Sequence, residues 1–222
     1  MRTPVVLSWS GGKDASMALW TLRNDPHYEV VALLTTLTEK YQRVVMQGIR
    51  EEVLDLQAEA IGLPLHKVWL SGLPSNDEYE TKMNSALGAM QAEGINHVAH
   101  GDLFLEDVRN YREQNLARIG MKGVYPIWQR PTDEMARWFI HQGFRARLSC
   151  VNGEQLDARF AGRDFDTALL QDLPEDVDPC GENGEFHTCV TAGPIFREPL
   201  DVKTGERVTM LDRFHYCDML PT

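Results

Sequence analysis

The 222-residue chain lacks an excess of positive charge: 22 lysines and arginines stand against 33 acids, the formal net charge is −11, and no basic run compensates locally. That balance leaves no electrostatic footprint for a polyanion, so no nucleic-acid partner is expected. Long hydrophobic runs are missing as well. No stretch approaches the roughly 20 apolar residues of a membrane span, and Met1-Arg2-Thr3 leads into a short strand rather than a signal-peptide core. No membrane contact and a cytoplasmic location are therefore expected. The cysteines Cys150, Cys180, Cys189 and Cys217 are isolated singles without a CxxC pair, which argues against a zinc knuckle or a dithiol redox site and for reduced thiols. Internal repeats, low-complexity tracts and long flexible linkers are absent from the pattern.

What is present is an ordinary globular composition, 43% hydrophobic and 25% charged, ample for one core and a smaller lobe. Short apolar runs at Val5 to Leu7, Val30 to Leu34, Val68 to Leu70 and Val98-Ala99 read as strands buried on both faces. Between them, Ile49, Val53, Leu56 and Ala60 share one helical face, and so do Tyr79, Met83, Ala86 and Met90. Gly62 with Pro64, and Gly94, stand where those helices stop. Strand and helix alternating in this way predict an α/β fold with a parallel sheet and helices on both faces. A boundary near Gly120 to Pro126 divides the chain into a larger region, 1–124, and a smaller C-terminal α/β lobe, 125–222. The lobe carries a helix near Met135 to Ile140, a strand at Arg145 to Val151, a helix near Asp164 to Leu173 and a glycine-rich stretch with short strands.

The first strand is followed directly by Ser8-Trp9-Ser10-Gly11-Gly12-Lys13-Asp14, which opens a helix. Adjacent glycines let the backbone approach an anion, and the unpaired N–H groups of the helix start point to the same place. Lys13 adds a cation, Ser10 a hydroxyl, and Asp14 can either cap the turn or help hold a magnesium ion. The sequence is neither GxxxxGK[ST] nor GxGxxG, so the nucleoside-triphosphate P-loop and the dinucleotide fingerprint are both disfavoured.

Two further motifs carry chemistry. His100-Gly101-Asp102 closes the run that begins at His97, at the strand end where open parallel sheets place their ligand crevice. The polar segment Glu106 to Gln114 that follows is expected to be a helix with Glu106, Arg109 and Glu113 on one face, and Arg109 is a candidate for substrate contact. Further on, Cys180-Gly181-Glu182-Asn183-Gly184-Glu185-Phe186-His187-Thr188 is a tight, irregular segment followed by Gly193-Pro194. Its two acids, Glu182 and Glu185, can orient an amine, bind a cationic group or act as general base; a surface turn with exposed acids is the plain alternative.

Ser10-Gly11-Gly12-Lys13-Asp14 resembles the SGGxDS signature of PP-loop ATP pyrophosphatases, with Ala15 where the last serine usually stands and Ser16 beside it. Together with the Gly101-Asp102 strand end, the charged helix and CGENGEFHT with its nearby Gly-Pro, the chain resembles the diphthine–ammonia ligase family from Ser10 to Phe196. The resemblance implies a Rossmann-like fold of the adenine nucleotide alpha hydrolase type. It also implies an ATP- and Mg2+-dependent enzyme that adenylates a carboxylate and lets ammonia displace AMP, with diphthine on elongation factor 2 as the family's acceptor. Carried over, Ser8, Ser10, Gly11, Gly12, Lys13, Asp14 and Ser16 would bind the nucleotide, with Gly101 and Asp102 bordering it and Asp14 near the metal. Lys13, Glu182 and Glu185 would serve catalysis, and Arg109, Glu182 and Glu185 would face the acceptor. Two other readings use the same loop: an ATP-dependent tRNA-modifying enzyme, and a module that senses ATP or AMP without turning it over.

Overall fold

The computed structural model describes residues 1–72 and 74–222. The first half runs β1 (Thr3–Ser8), α1 (Lys13–Arg23), β2 (Tyr28–Thr38), β3 (Arg43–Val44), α2 (Glu51–Ile61) and β4 (Leu65–Leu70). It continues with α3 (Asn76–Ala92), β5 (His97–Ala99), α4 (Glu106–Arg118) and β6 (Lys122–Val124). The strands β4, β2, β1, β5 and β6 lie side by side and all parallel, while the two-residue β3 pairs antiparallel with the end of β2.

The strand apolar runs are nearly continuous because both faces of the sheet are covered. Val5 and Leu7 of β1 and Leu33 of β2 pack with Leu19 and Leu22 of α1 and Val53 and Leu54 of α2 on one face. Val6, Leu34, Val68 and Val98 pack with Leu87, Met90 and Leu116, from α3 and α4, on the other. α2 stops at Gly62, whose φ of 78° is the left-handed conformation a helix C-terminus favours. The strand order reverses direction between β1 and β5, and a ligand crevice opens beyond the carboxyl ends of strands at such a switch point. Both the turn at Ser10 and the turn at Gly101 therefore emerge on one crevice.

The second half consists of α5 (Thr132–His141), β7 (Arg145–Asn152), a 3-10 turn at Ala158–Phe160, α6 (Thr167–Asp172), β8 (Phe186–Ala192), β9 (Val202–Met210) and β10 (Phe214–Pro221). Its strands form an antiparallel sheet in the order β8, β7, β10, β9. The short final strands expected from sequence are in fact a long hairpin. Most of β9 is exposed on this sheet edge, so no buried alternation betrays its length.

The two sheets share one continuous apolar cluster, which runs from Leu7 and Trp9 through Phe139 to Leu148 and Phe186. Polar ties reinforce it. Arg23 donates to the carbonyls of Ile195 and Ile61, each at 2.8 Å, and Trp20 meets Trp138 edge to face with centroids 4.9 Å apart. Asp218 of β10 accepts from Arg43 at 2.7 Å and from Arg50 Nη2 at 2.7 Å. Burial works to raise the pKa of the Asp218 carboxyl, but hydrogen bonds from Arg50 and Arg43 prevail and hold it at about 2. A carboxyl depressed on folding adds stability above its unfolded value, and that stability is lost as the pH falls through the folded value. Asp218→Asn is thus expected to cost about 1–2 kcal/mol at pH 7. In urea unfolding, the gap from wild type should hold down to about pH 4 and narrow below it.

Candidate active site

The turn after β1 is held open by residues distant in sequence. Trp9 N–H donates to the Leu34 carbonyl at 2.7 Å, and its indole Nε1 donates to Gln57 Oε1 at 3.0 Å. Gln57 Nε2 in turn donates to the carbonyls of Gly11 at 3.0 Å and Val190 at 2.8 Å, while Val190 N–H donates back to Gly11 O at 2.9 Å. Gly11 has φ +77°, and a Cβ there would stand 2.8 Å from Gln57 Oε1, so both conformation and space require glycine. Ser10 Oγ accepts from Gly12 N–H at 3.3 Å, and Thr188 Oγ1 of β8 accepts from Lys13 N–H at 3.0 Å. Ser8 ends β1 opposite Leu34.

Lys13 is only 2% exposed, and its ammonium lies 2.8 Å from Asp14 Oδ1 and 5.7 Å over the Phe186 ring. Burial alone would lower the Lys13 pKa, but the carboxylates of Asp14 and, more weakly, Glu182 outweigh it and keep the group charged. Ser16 does not face the turn: its hydroxyl donates to the Gly12 carbonyl at 2.9 Å, within the first turn of α1. Ala15 is buried against the core.

Gly101 lies directly against the start of α1, where a Cβ would come within 2.7 Å of the Asp14 carbonyl carbon. Only glycine lets the β5 turn come this close. Asp102 follows it and pairs with Arg112, whose Nη2 donates to Oδ1 at 3.3 Å and whose Nε lies off the hydrogen-bond axis 3.0 Å from Oδ2. Burial raises the pKa of Asp102 and the Asp14 charge adds to this, against the pull of Arg112. Arg112 Nη1 also meets His100 Nδ1 at 3.2 Å, and burial beside that cation holds His100 neutral, well below its ordinary pKa.

Across the crevice, Glu182 Oε1 accepts from Leu103 N–H at 2.8 Å, joining the segment before β8 to the turn after β5. Burial and the Asp14 charge push Glu182 up to about 7. Lys13, Asp14, Asp102 and Glu182 therefore form one electrostatic cluster at the switch point. Two other residues singled out from sequence lie outside it. Glu185 is 2% exposed and turns into its own loop, where Oε1 accepts from Asp178 N–H at 2.9 Å and Asn183 Nδ2 at 3.1 Å. Arg109 sits one turn before Arg112 on α4, ion-paired to Glu113 at 3.2 Å and stacked between Tyr125 and Trp128.

Sequence reasoning passed over four residues that shape the site: Gln57, Arg112, Asp178 and Thr188. Asp178 Oδ1 accepts from the N–H groups of Cys180 at 2.9 Å and Glu182 at 3.2 Å, so it sets the course of the Glu182 segment. An acid two residues before Cys180-Gly181 is an Asx-turn signal that could have revealed it. Arg112 lay within the charged run, but nothing in the run distinguished it from Arg109. Burial pushes the Cys180 thiol far up, and its Sγ donates to the Thr132 carbonyl at 3.3 Å, so it is no nucleophile at neutral pH.

The site's chemistry suits a polyphosphate and a hard cation. The helix start and Lys13 provide positive charge, and the nearby acids provide oxygen ligands. Among the described residues no three His, Cys, Asp or Glu groups form a ready metal cage. Magnesium that is bound by one or two carboxylates plus substrate phosphates needs none.

Family models match almost the whole chain: the diphthamide synthase N-terminal domain over residues 1–123 and the diphthamide synthase C-terminal domain over residues 131–219. The diphthine–ammonia ligase of Rattus norvegicus is 26% identical over 222 residues, covering 90% of this chain and 82% of the relative. That of Homo sapiens is 24% identical over 222 residues, with 90% and 82% covered. For the diphthine–ammonia ligase of Schizosaccharomyces pombe, identity is 25% over 218 residues and the match spans 90% of this chain but 36% of the longer relative. With both domain models matched in order along one chain, the protein belongs to the diphthamide synthase family.

Proposed function

We propose that this chain is an ATP-dependent ligase that activates a carboxylate as an acyl-adenylate and transfers it to ammonia, with diphthine as the acceptor. The observation that carries the reading is the meeting of Lys13 and Asp14, at the start of α1, with Glu182, held across the crevice by Leu103. The acceptor follows from the activity named for the relatives.

In this mechanism a carboxylate oxygen of the acceptor attacks the α-phosphorus, the bond from that phosphorus to the bridging oxygen breaks, and pyrophosphate leaves. The backbone of Ser10 to Lys13, with the Gly12 and Lys13 N–H groups exchanging the Ser10 and Thr188 hydroxyls for phosphate oxygens, and the Lys13 ammonium hold the departing diphosphate and offset the charge that develops on it. Magnesium, when bound, would add Lewis-acid stabilisation of the same phosphate oxygens, with Asp14 as the proposed ligand and Asp102 beside it. Asp14 would exchange its contact with Lys13 for the metal, leaving that ammonium for phosphate. Ammonia then attacks the acyl carbon, AMP leaves with the bonding electrons, and the nitrogen loses a proton. Glu182, half-buried and with its pKa raised to about 7, is the group we assign to hold the ammonia nitrogen and take that proton. Glu185 acts behind it, through Asp178, by fixing the segment that carries Glu182.

Sustained release of AMP and pyrophosphate is expected only when acceptor and ammonia are both supplied, with no more than about one pyrophosphate per enzyme when ammonia is withheld, and Lys13→Ala should reduce the sustained rate by about 10²-fold or more. Quantifying both products by ion-exchange chromatography checks this. A nucleotide sensor would bind ATP and release neither.

Glu182 also makes a pH prediction. A carboxyl raised on folding is held protonated by the fold, so stability falls as the pH rises from its unfolded value of about 4.5 through its folded value near 7. Glu182→Gln is expected to match or trail wild type near pH 4 and to exceed it by about 1 kcal/mol at pH 8. Denaturant unfolding at both pH values measures this. The same variant should lose the acidic limb of the pH–rate profile and about 10²-fold in rate.

A further inference from the structure

At the carboxyl end of β6 an aromatic cleft holds a cation supplied by the chain itself. The Arg109 guanidinium carbon lies 4.7 Å from the ring centroid of Tyr125 and 4.7 Å from that of Trp128. The two rings are steeply inclined, at 65°, with centroids 6.0 Å apart. A cation within about 6 Å of two such centroids is attracted by both ring faces. Carboxylates border the place: Glu113 is 3.2 Å from Arg109 Nε, and Asp25 lines the same groove, which encloses about 430 Å3. Aromatic faces with acids at the rim suit a cation that cannot donate hydrogen bonds, because ring quadrupoles and charge are then the only polar attractions left.

The seat is close to the proposed chemistry. Tyr125 stacks on His100 with centroids 5.6 Å apart, and Arg112 links His100 to Asp102. Only β5 separates β6 from β1, so the seat lies about two strand spacings, roughly 10 Å, from the phosphate turn. An acyl phosphate and one substituted carbon can bridge much of that span. The two arginines of α4 differ in what holds them. Arg112 is engaged by His100 and Asp102, whereas Arg109 meets the two rings and, already in this position, Glu113 one turn along its own helix.

We propose that the cleft between Tyr125 and Trp128 is a seat for a quaternary ammonium group on the acceptor, and that Arg109 occupies it until the acceptor arrives. The inference rests on the ligase reading, in which the acceptor carries a trimethylammonium beside its carboxylate. It goes further by giving recognition to the two rings and a gating role to Arg109. Because Arg109 must leave first, its contacts weaken acceptor binding while they exclude cations that cannot displace it.

The test uses the full chain and tetramethylammonium, with tert-butyl alcohol as the uncharged probe of the same tetrahedral shape. The indole N–H resonance of Trp128, identified among the five tryptophans by its loss in Trp128→Phe, reports occupancy. Tetramethylammonium should shift that resonance and the alcohol should not. Arg109→Ala should tighten binding about two- to fivefold and Arg109→Lys should restore the wild-type value, while Tyr125→Leu should weaken binding by a similar factor. Because Tyr125→Leu can disturb the fold, acceptor KM against kcat in Trp128→Leu gives a second measure, with the change expected in KM. Equal shifts from both probes, or weaker binding in Arg109→Ala, would overturn the proposal. An intact titration without AMP release from any acceptor would remove the ligase reading alone. Turnover indifferent to the ammonium group, with no titration, would remove this inference alone.

Discussion

The buried amide of Gln57 fixes the turn on which the crevice is built. This side chain is wholly inaccessible, yet it accepts from the Trp9 indole and donates to the carbonyls of Gly11 and Val190. A buried amide with its polar atoms engaged is strongly directional, because any shift leaves a donor or acceptor without a partner in a medium of low polarity. The turn after β1 consequently takes its shape from α2 below and from β8 beside it, and little from its own short sequence. Within it the Gly12 and Lys13 N–H groups are held by the Ser10 and Thr188 hydroxyls, and Lys13 and Asp14 neutralise each other.

Charge in the crevice is arranged around that turn in a graded way. Lys13 and Arg112 are the cations, and Asp14, Asp102 and Glu182 the acids, so acid outnumbers base. The excess is eased by Glu182, which sits near neutrality because burial and Asp14 disfavour its ionised form. A group so placed exchanges a proton at little cost, as an acid–base catalyst must. His187, which burial takes down to about 4, leaves the neighbourhood without a further positive charge at neutral pH.

Much of the fold was legible because its signals are local and periodic. Val5 to Leu7, Val30 to Leu34, Val68 to Leu70 and Val98-Ala99 all lie in parallel strands, and Gly62 ends its helix as its position implies. The turn from Ser10 to Asp14 and the Gly101 approach were legible for the same reason, since glycines beside a strand end carry a backbone meaning. β3, β6 and β9 were not. Two are only two and three residues long, and β9 is exposed along most of its length, so burial imposes no pattern on any of them. In the site, the roles of Gln57, Thr188 and Arg112 arise from contacts across 46, 175 and 10 residues. Such partners leave no mark on a local reading. The pair Glu182 and Glu185 looked alike in sequence and diverges in space, because an irregular glycine-rich segment has no periodicity to say which acid turns inward.

The carbonyl of Gly11 receives one hydrogen bond from α2 and one from β8, so a single oxygen atom belongs to both halves of the molecule. Severing the chain between the matched domain models would strand that oxygen's second donor, the Thr188 hydroxyl and the continuous apolar cluster behind them. The two segments that the family models treat as separate modules thus share one apolar core and, at Gly11, one backbone oxygen.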